Sequence, residues 1–144
     1  MSTKDLGPVL HDGYLLARLG ALSTRSWNDM LGKLGVSPLE YGALMTLLHT
    51  GGSSSADLAR LMAIDARNLG PVLERLESEG MLRRYFGAYD KRRRVIELTA
   101  KGKRRATSAH KESAKITSEF LAVLSDSERK SLTKVLTKLF EAHT

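Results

Sequence analysis

The chain contains no cysteine, which excludes disulfides, thiol-based redox sensing, catalytic thiols and thiolate metal sites. Its four histidines, His11, His49, His110 and His143, stand far apart and in no HxxxH or HxH pattern. A zinc site is therefore not expected, and nothing calls for a cofactor. No apolar run approaches the roughly 20 residues of a membrane-spanning helix. The opening Met1-Ser2-Thr3-Lys4-Asp5 carries an acid and no apolar block behind it, so no secretory leader is expected and the chain reads as cytoplasmic. Also missing are a glycine-rich phosphate loop, a GxSxG elbow, paired histidines and a conspicuous carboxylate pair, which disfavours an enzyme.

What is present fits one soluble domain with one main core: 144 residues, 42% hydrophobic and 27% charged. The formal charge is +7 and its placement is informative. Thirteen basic and six acidic residues fall between Arg60 and Arg105, so that stretch carries the entire excess. A localised positive field attracts phosphate backbones, and a merely solvated basic face is the other reading of the same charges.

Helical periodicity dominates. Val9, Leu10, Tyr14, Leu15, Leu19, Leu22, Met30, Leu31 and Leu34 recur at helical spacing, with Trp27 among them, predicting one long helix over roughly 9–33, bent near Gly20. Ser37-Pro38-Leu39-Glu40 is a capping box that opens a second helix, closed by Gly51-Gly52. Ser54-Ser55-Ala56-Asp57 starts a third, with Leu58, Leu61 and Met62 on its apolar face. The turn Ala63-Ile64 leads to Asp65, a good N-cap for a fourth helix through Leu69, Val72, Leu73 and Leu76. Two short helices joined by a tight turn form a helix-turn-helix. The period then changes. Residues 81–86 and 94–98 read as two strands around a polar, basic turn, a β-hairpin with a cationic tip. Thr99 caps a long helix to about Leu124, and Ser125-Asp126-Ser127-Glu128 opens the last one. The fold class is mainly α with a small β-hairpin wing.

Three stretches closely resemble the MarR (multiple antibiotic resistance regulator) family. Asp57-Leu58-Ala59 is similar to the family's acidic-Leu-Ala start of the first motif helix. Residues 65–84, ending in Leu73-Glu74-Arg75-Leu76-Glu77-Ser78-Glu79-Gly80-Met81-Leu82-Arg83-Arg84, are similar to its recognition helix and first wing strand. Asp90-Lys91-Arg92, with Leu98-Thr99-Ala100-Lys101-Gly102 behind it, resembles its wing and exit. The resemblance implies a winged helix-turn-helix with N- and C-terminal dimerisation helices: a single domain over 1–144, with about 9–34 and 106–144 pairing two copies and about 37–105 holding double-stranded DNA. It implies a homodimer on a pseudo-palindromic site, a repressor as most members are, released by a small phenolic or other aromatic effector as many are.

On that frame Arg67 and Asn68, near the start of the fourth helix, are the candidates to read base edges in the major groove, arginine pairing with guanine and asparagine with adenine. Arg75 lies further along the same helix. Arg92 matches the wing arginine that enters the minor groove, with Asp90 expected to steer its guanidinium. Lys91, Arg93 and Arg94 are phosphate contacts or solvated, and Arg94 has an ion pair along its strand as a further alternative. Ser54 and Ser55 sit where a helix start can hold a phosphate. Gly70-Pro71 departs from the family pattern: either Asp65 caps the helix and Pro71 kinks its second turn, or Asn68 is the cap and Pro71 lies in the first turn. Lys101, Lys103, Arg104 and Arg105 read as a long-range attracting or solvated face. An effector pocket between the DNA-binding lobe and the dimer helices takes Tyr14, Leu15, Trp27, Tyr41 and Met45 as liners and His11 or Arg18 as polar anchor, against ordinary core packing for each. The alternative function is a winged-helix architectural or protein-interaction module that binds DNA weakly and without sequence preference.

Overall fold

The computed structural model describes residues 11–143. Six helices and one hairpin follow in the order α1 (Asp12–Leu34), α2 (Pro38–Thr50), α3 (Ser55–Leu61), α4 (Ala66–Ser78), β1 (Leu82–Phe86), β2 (Arg94–Leu98), α5 (Ala100–Phe120) and α6 (Asp126–His143). Val9 and Leu10, the first apolar positions read into the opening helix, lie outside the described residues.

The helix boundaries follow local chemistry. Ser37 and Glu40 form the reciprocal capping box, Glu40 N–H to Ser37 Oγ at 3.1 Å and Ser37 N–H to Glu40 Oε2 at 2.9 Å. The last helix is boxed the same way by Ser125 and Glu128. Gly51, at φ 75°, ends α2 in the left-handed region that favours glycine. The turn between α3 and α4 also needs a left-handed residue, and there it is Ala63, at φ 53°. Helix α5 stops at Phe120, four residues short of the expected Leu124. Its apolar spacing runs on into a turn whose amides reach back only three residues, as in Leu124 N–H to Leu121 O.

The core belongs to the winged lobe. Leu44, Leu47, Leu58, Leu69, Leu73, Leu76 and Ile96 are fully buried, joined by Leu31 from the end of α1. Each such side chain contributes about 1.5–3 kcal/mol of burial. The hairpin is antiparallel, pairing Leu82 with Leu98 and Phe86 with Arg94. It is fastened to the helix-turn-helix by a bridge in which Ser53 and Ile96 exchange both backbone bonds, at 2.9 and 2.8 Å. Gly102 brings α5 against the hairpin root: a Cβ there would collide with the carbonyl oxygen of Met81, the same oxygen that accepts from Thr99 N–H at 3.0 Å. Arg105, read as part of a solvated or attracting face, turns inward instead and donates to the Leu34 carbonyl at the end of α1. Among the described residues no helix is long and apolar enough to cross a membrane.

Candidate nucleic-acid interface

The entry to α4 decides which alternative for Pro71 holds. Asp65 is the N-cap, its Oδ1 accepting from Arg67 N–H at 2.8 Å, while Asn68 N–H is already donating to the Asp65 carbonyl at 2.9 Å. Pro71 therefore lies inside the helix, and α4 continues through it to Ser78. Proline has no amide to donate, so the Arg67 carbonyl loses its helical partner. The Asp65 carboxylate does more than cap. It takes the Arg67 guanidinium on one edge, Nε at 3.2 and 3.3 Å and Nη2 at 2.8 Å. The Arg67 side chain is nevertheless 89% exposed. These bonds hold the Asp65 carboxyl below its ordinary value and raise the Arg67 guanidinium. Asn68 is exposed beside it.

In the wing, the turn is closed by Gly87 N–H to Arg93 O at 2.8 Å and Arg93 N–H to Asp90 O at 3.1 Å. Asp90 does not steer the Arg92 guanidinium as expected. Its Oδ1 accepts from the Arg92 backbone N–H at 3.0 Å, the Asx-type bond by which a turn carboxylate fixes the main chain two residues on, and the guanidinium points away to solvent. Arg93 reaches across to α3 and pairs with Asp57 at 2.9 Å. Among the described residues Arg94 makes no ion pair; its guanidinium lies 5.7 Å from the centre of the Phe86 ring, its cross-strand partner. Arg83 pairs with Glu97, opposite it in the register, and Tyr85 donates to the same carboxylate at 3.1 Å. Arg83 is the main reason the Glu97 carboxyl sits below its ordinary value, and the bond to Glu97 raises the Tyr85 phenol. Arg84 pairs with Glu77 at 3.4 Å. Among the described residues, Lys91 and Arg92 are thus the hairpin cations whose side chains have no protein partner, and both are exposed.

The remaining candidates are more deeply committed. Arg75 lies between the buried Glu40, at 3.1 Å, and Glu79, at 3.2 Å, tying the end of α4 to the start of α2. The Ser54 hydroxyl accepts from Asp57 N–H at 3.1 Å, capping α3, and Ser55 is exposed next to it. The bond to Ser54, then the one to Arg60, holds the Asp57 carboxyl below its ordinary value. Asp57 is the residue that sequence reasoning missed here. The acid at the third position of a capped helix was legible; its bond to an arginine 36 residues away was not.

The expected effector liners split. Trp27 and Tyr41 meet edge to face at 5.1 Å and pack with Met45 against the core. Leu15 and Arg18 are exposed, and His11 caps α1, its Nδ1 accepting from Tyr14 N–H at 3.3 Å. A groove of about 380 Å³ does open between α1, α5 and α6, walled by Leu16, Leu19, Trp27, Phe120, Leu132 and Leu136, with Ser23 and Ser26 as polar atoms. Of the expected liners only Trp27 reaches it.

The sequence model of the MarR family matches residues 34–93. The chain is 31% identical over 139 residues to the HTH-type transcriptional repressor Rv2887 of Mycobacterium tuberculosis, an alignment covering 96% of this chain and 98% of that one. It is 33% identical over 105 residues to the uncharacterized HTH-type transcriptional regulator YdgJ of Bacillus subtilis, spanning 73% of this chain but 64% of that protein. In three dimensions it shares the fold of a mutant MarR from Escherichia coli complexed with operator DNA, at TM-score 0.74 and 21% identity, covering 93% of this chain and 96% of that one. A helix-turn-helix packed on a leucine core, a hairpin with an arginine at its tip and a full-length alignment to a repressor agree, and the chain belongs to the MarR family of winged helix-turn-helix transcriptional regulators.

Proposed function

We propose that the chain represses transcription in the cytoplasm as a homodimer on a pseudo-palindromic operator. Helix α4 enters the major groove with Arg67 and Asn68 toward base edges, and Arg92 at the wing tip enters the minor groove. One observation carries this reading. Almost every hairpin arginine is neutralised by a carboxylate or laid on a ring, and the two cations left free, Lys91 and Arg92, sit together at its tip. An unpaired charge pair on a turn fixed by Asp90 is arranged for phosphate and a narrow groove. Lys91 and Arg93 serve the backbone beside it, Arg93 by exchanging Asp57 for phosphate. Ser54 and Ser55 lie at the α3 start, Arg75 braces the reading helix, and Arg94 shapes the wing strand. About 37–105 is the DNA-binding lobe, and about 9–34 with 106–144 pairs the copies. A small aromatic effector acting between lobe and dimer helices would meet Trp27, Tyr41 and Met45.

Selection from a random duplex pool tests the reading. An enriched inverted repeat is the expected result, with affinity for it falling three to five orders of magnitude between 50 and 200 mM salt if about 6–10 phosphates are neutralised. No enrichment would leave the architectural or protein-interaction module in its place, and a flat salt response would contradict the basic surface itself.

A further inference from the structure

We propose that Asp65 is a positioning residue that pre-aims Arg67 at a guanine in each operator half-site. The inference rests on the reading that α4 enters the major groove with Arg67 toward guanine, and it adds what aims that side chain at the base.

A guanidinium carries five N–H donors in one plane. Asp65 occupies one edge, taking Nε and Nη2 with its two carboxylate oxygens. The carboxylate is itself pinned, because Oδ1 also accepts the Arg67 backbone N–H at 2.8 Å as the helix cap. The arginine is therefore tied to the backbone that presents it. The opposite edge, formed by Nη1 and the second Nη2 hydrogen, is uncommitted among the described residues, and the side chain is 89% exposed. That edge offers two parallel donors. In the major groove only guanine presents two adjacent acceptors, N7 and O6; adenine sets an amino donor beside N7, cytosine offers an amino donor, and thymine a single O4. Fixing the long side chain before binding removes rotamer freedom that would otherwise be lost on the DNA. The carboxylate has a second effect. It repels phosphate, so Arg67 cannot slide onto the backbone as a general cation without bringing a negative charge with it. Asp65 thus trades non-specific affinity for base discrimination.

The test compares Asp65→Ser, Asp65→Asn and Arg67→Ala in the full-length protein, by competition at fixed salt among duplexes carrying each base at every position of the selected half-site. Serine keeps a capping oxygen at the helix start and loses the fork, so a purely structural cap predicts little change. Asparagine keeps the shape and loses the charge, and it serves if serine fails to fold. The wild type should prefer guanine at one position by about tenfold, as expected for a bidentate arginine pair. In Arg67→Ala that preference should vanish. In Asp65→Ser and Asp65→Asn it should shrink to within about threefold, while binding to random duplex tightens severalfold. An Asp65 variant that keeps the full preference while Arg67→Ala abolishes it overturns the aiming role and leaves base reading by Arg67 intact. A guanine preference surviving in Arg67→Ala, or none in the wild type, overturns the major-groove reading of Arg67 and this inference with it.

Discussion

The winged lobe and the terminal helices are built on opposite principles. Within the lobe, α2, α3, α4 and the hairpin bury leucines from every element and then tie the elements together with polar links: Ser53 to Ile96, Arg75 to Glu40, Arg93 to Asp57. Helix α6, 18 residues long, buries none of its residues, and Val135, Leu136 and Leu139 are about half exposed. The first half of α1 is alike, with Leu16, Leu19 and Leu22 close to half exposed. Most of a helix's stability in a protein comes from packing its apolar face rather than from propensity. The lobe thus buries its core within one chain, whereas the terminal helices carry an apolar surface that one chain leaves open, the surface that the proposed pairing of two copies would cover.

Charge placed on the open apolar face should have the largest consequence. Leu16→Asp combined with Leu136→Asp should separate the subunits at micromolar concentration, read by sedimentation. Operator affinity should fall about a thousandfold, because the second lobe no longer binds as part of the same molecule. The melting temperature of the lobe should move little. A protein that stays dimeric, or whose lobe unfolds with the separation, would mean that the two regions are one structural unit. The next effect belongs to the lobe. Gly102→Ala drives a methyl group into the Met81 carbonyl, a backbone atom that already holds the hairpin root to α5. The cost should be roughly 3 kcal/mol, the upper range for overpacking, in urea unfolding, with subunit association preserved.

Much of this division was legible before any coordinates. The capping boxes at Ser37 and Ser125 and the hairpin between residues 82 and 98 are local signals, and local signals fix where elements start. The place of Arg92 at the hairpin tip and the run of α4 were legible too, because each is carried by a short motif. The long-range fates of side chains were not. Arg75, Arg93 and Arg105 look equivalent to Arg92 as letters, yet each is turned onto a carboxylate or carbonyl that the sequence places from 4 to 71 positions away. Net charge counts such cations as available to DNA, and only the packing shows which are. Spacing alone did not settle the short-range pairs either: Asp65 takes both the backbone N–H and the guanidinium of Arg67, whereas Asp90, equally two residues upstream, takes only the backbone N–H of Arg92. Aromatic residues at helical spacing serve a core as readily as a pocket, so the spacing alone did not show that Trp27, Tyr41 and Met45 pack against the core.

The smallest expected effect sharpens the contrast through acid. Asp57, Asp65 and Glu97 all lie in the lobe, and all three carboxyls are held below their ordinary values: by the Ser54 hydroxyl and Arg60, by Arg67, and by Arg83. A carboxyl depressed in the folded state binds its proton more readily once the chain unfolds. Its contribution is fully present above the unfolded value and is lost as pH falls through the folded one. The lobe should therefore be insensitive to these groups from neutrality down to about pH 5, and should weaken through and below the carboxylate range near pH 4. The size is modest because the groups face water, where ion pairs are screened. Urea midpoints for the wild type and for Asp57→Asn with Glu97→Gln, followed from pH 7 to pH 3, check this. The variant should start lower and lose less, so that the two curves converge in acid. Parallel curves would show that these pairs decorate the lobe without helping to hold the wing to the helix-turn-helix.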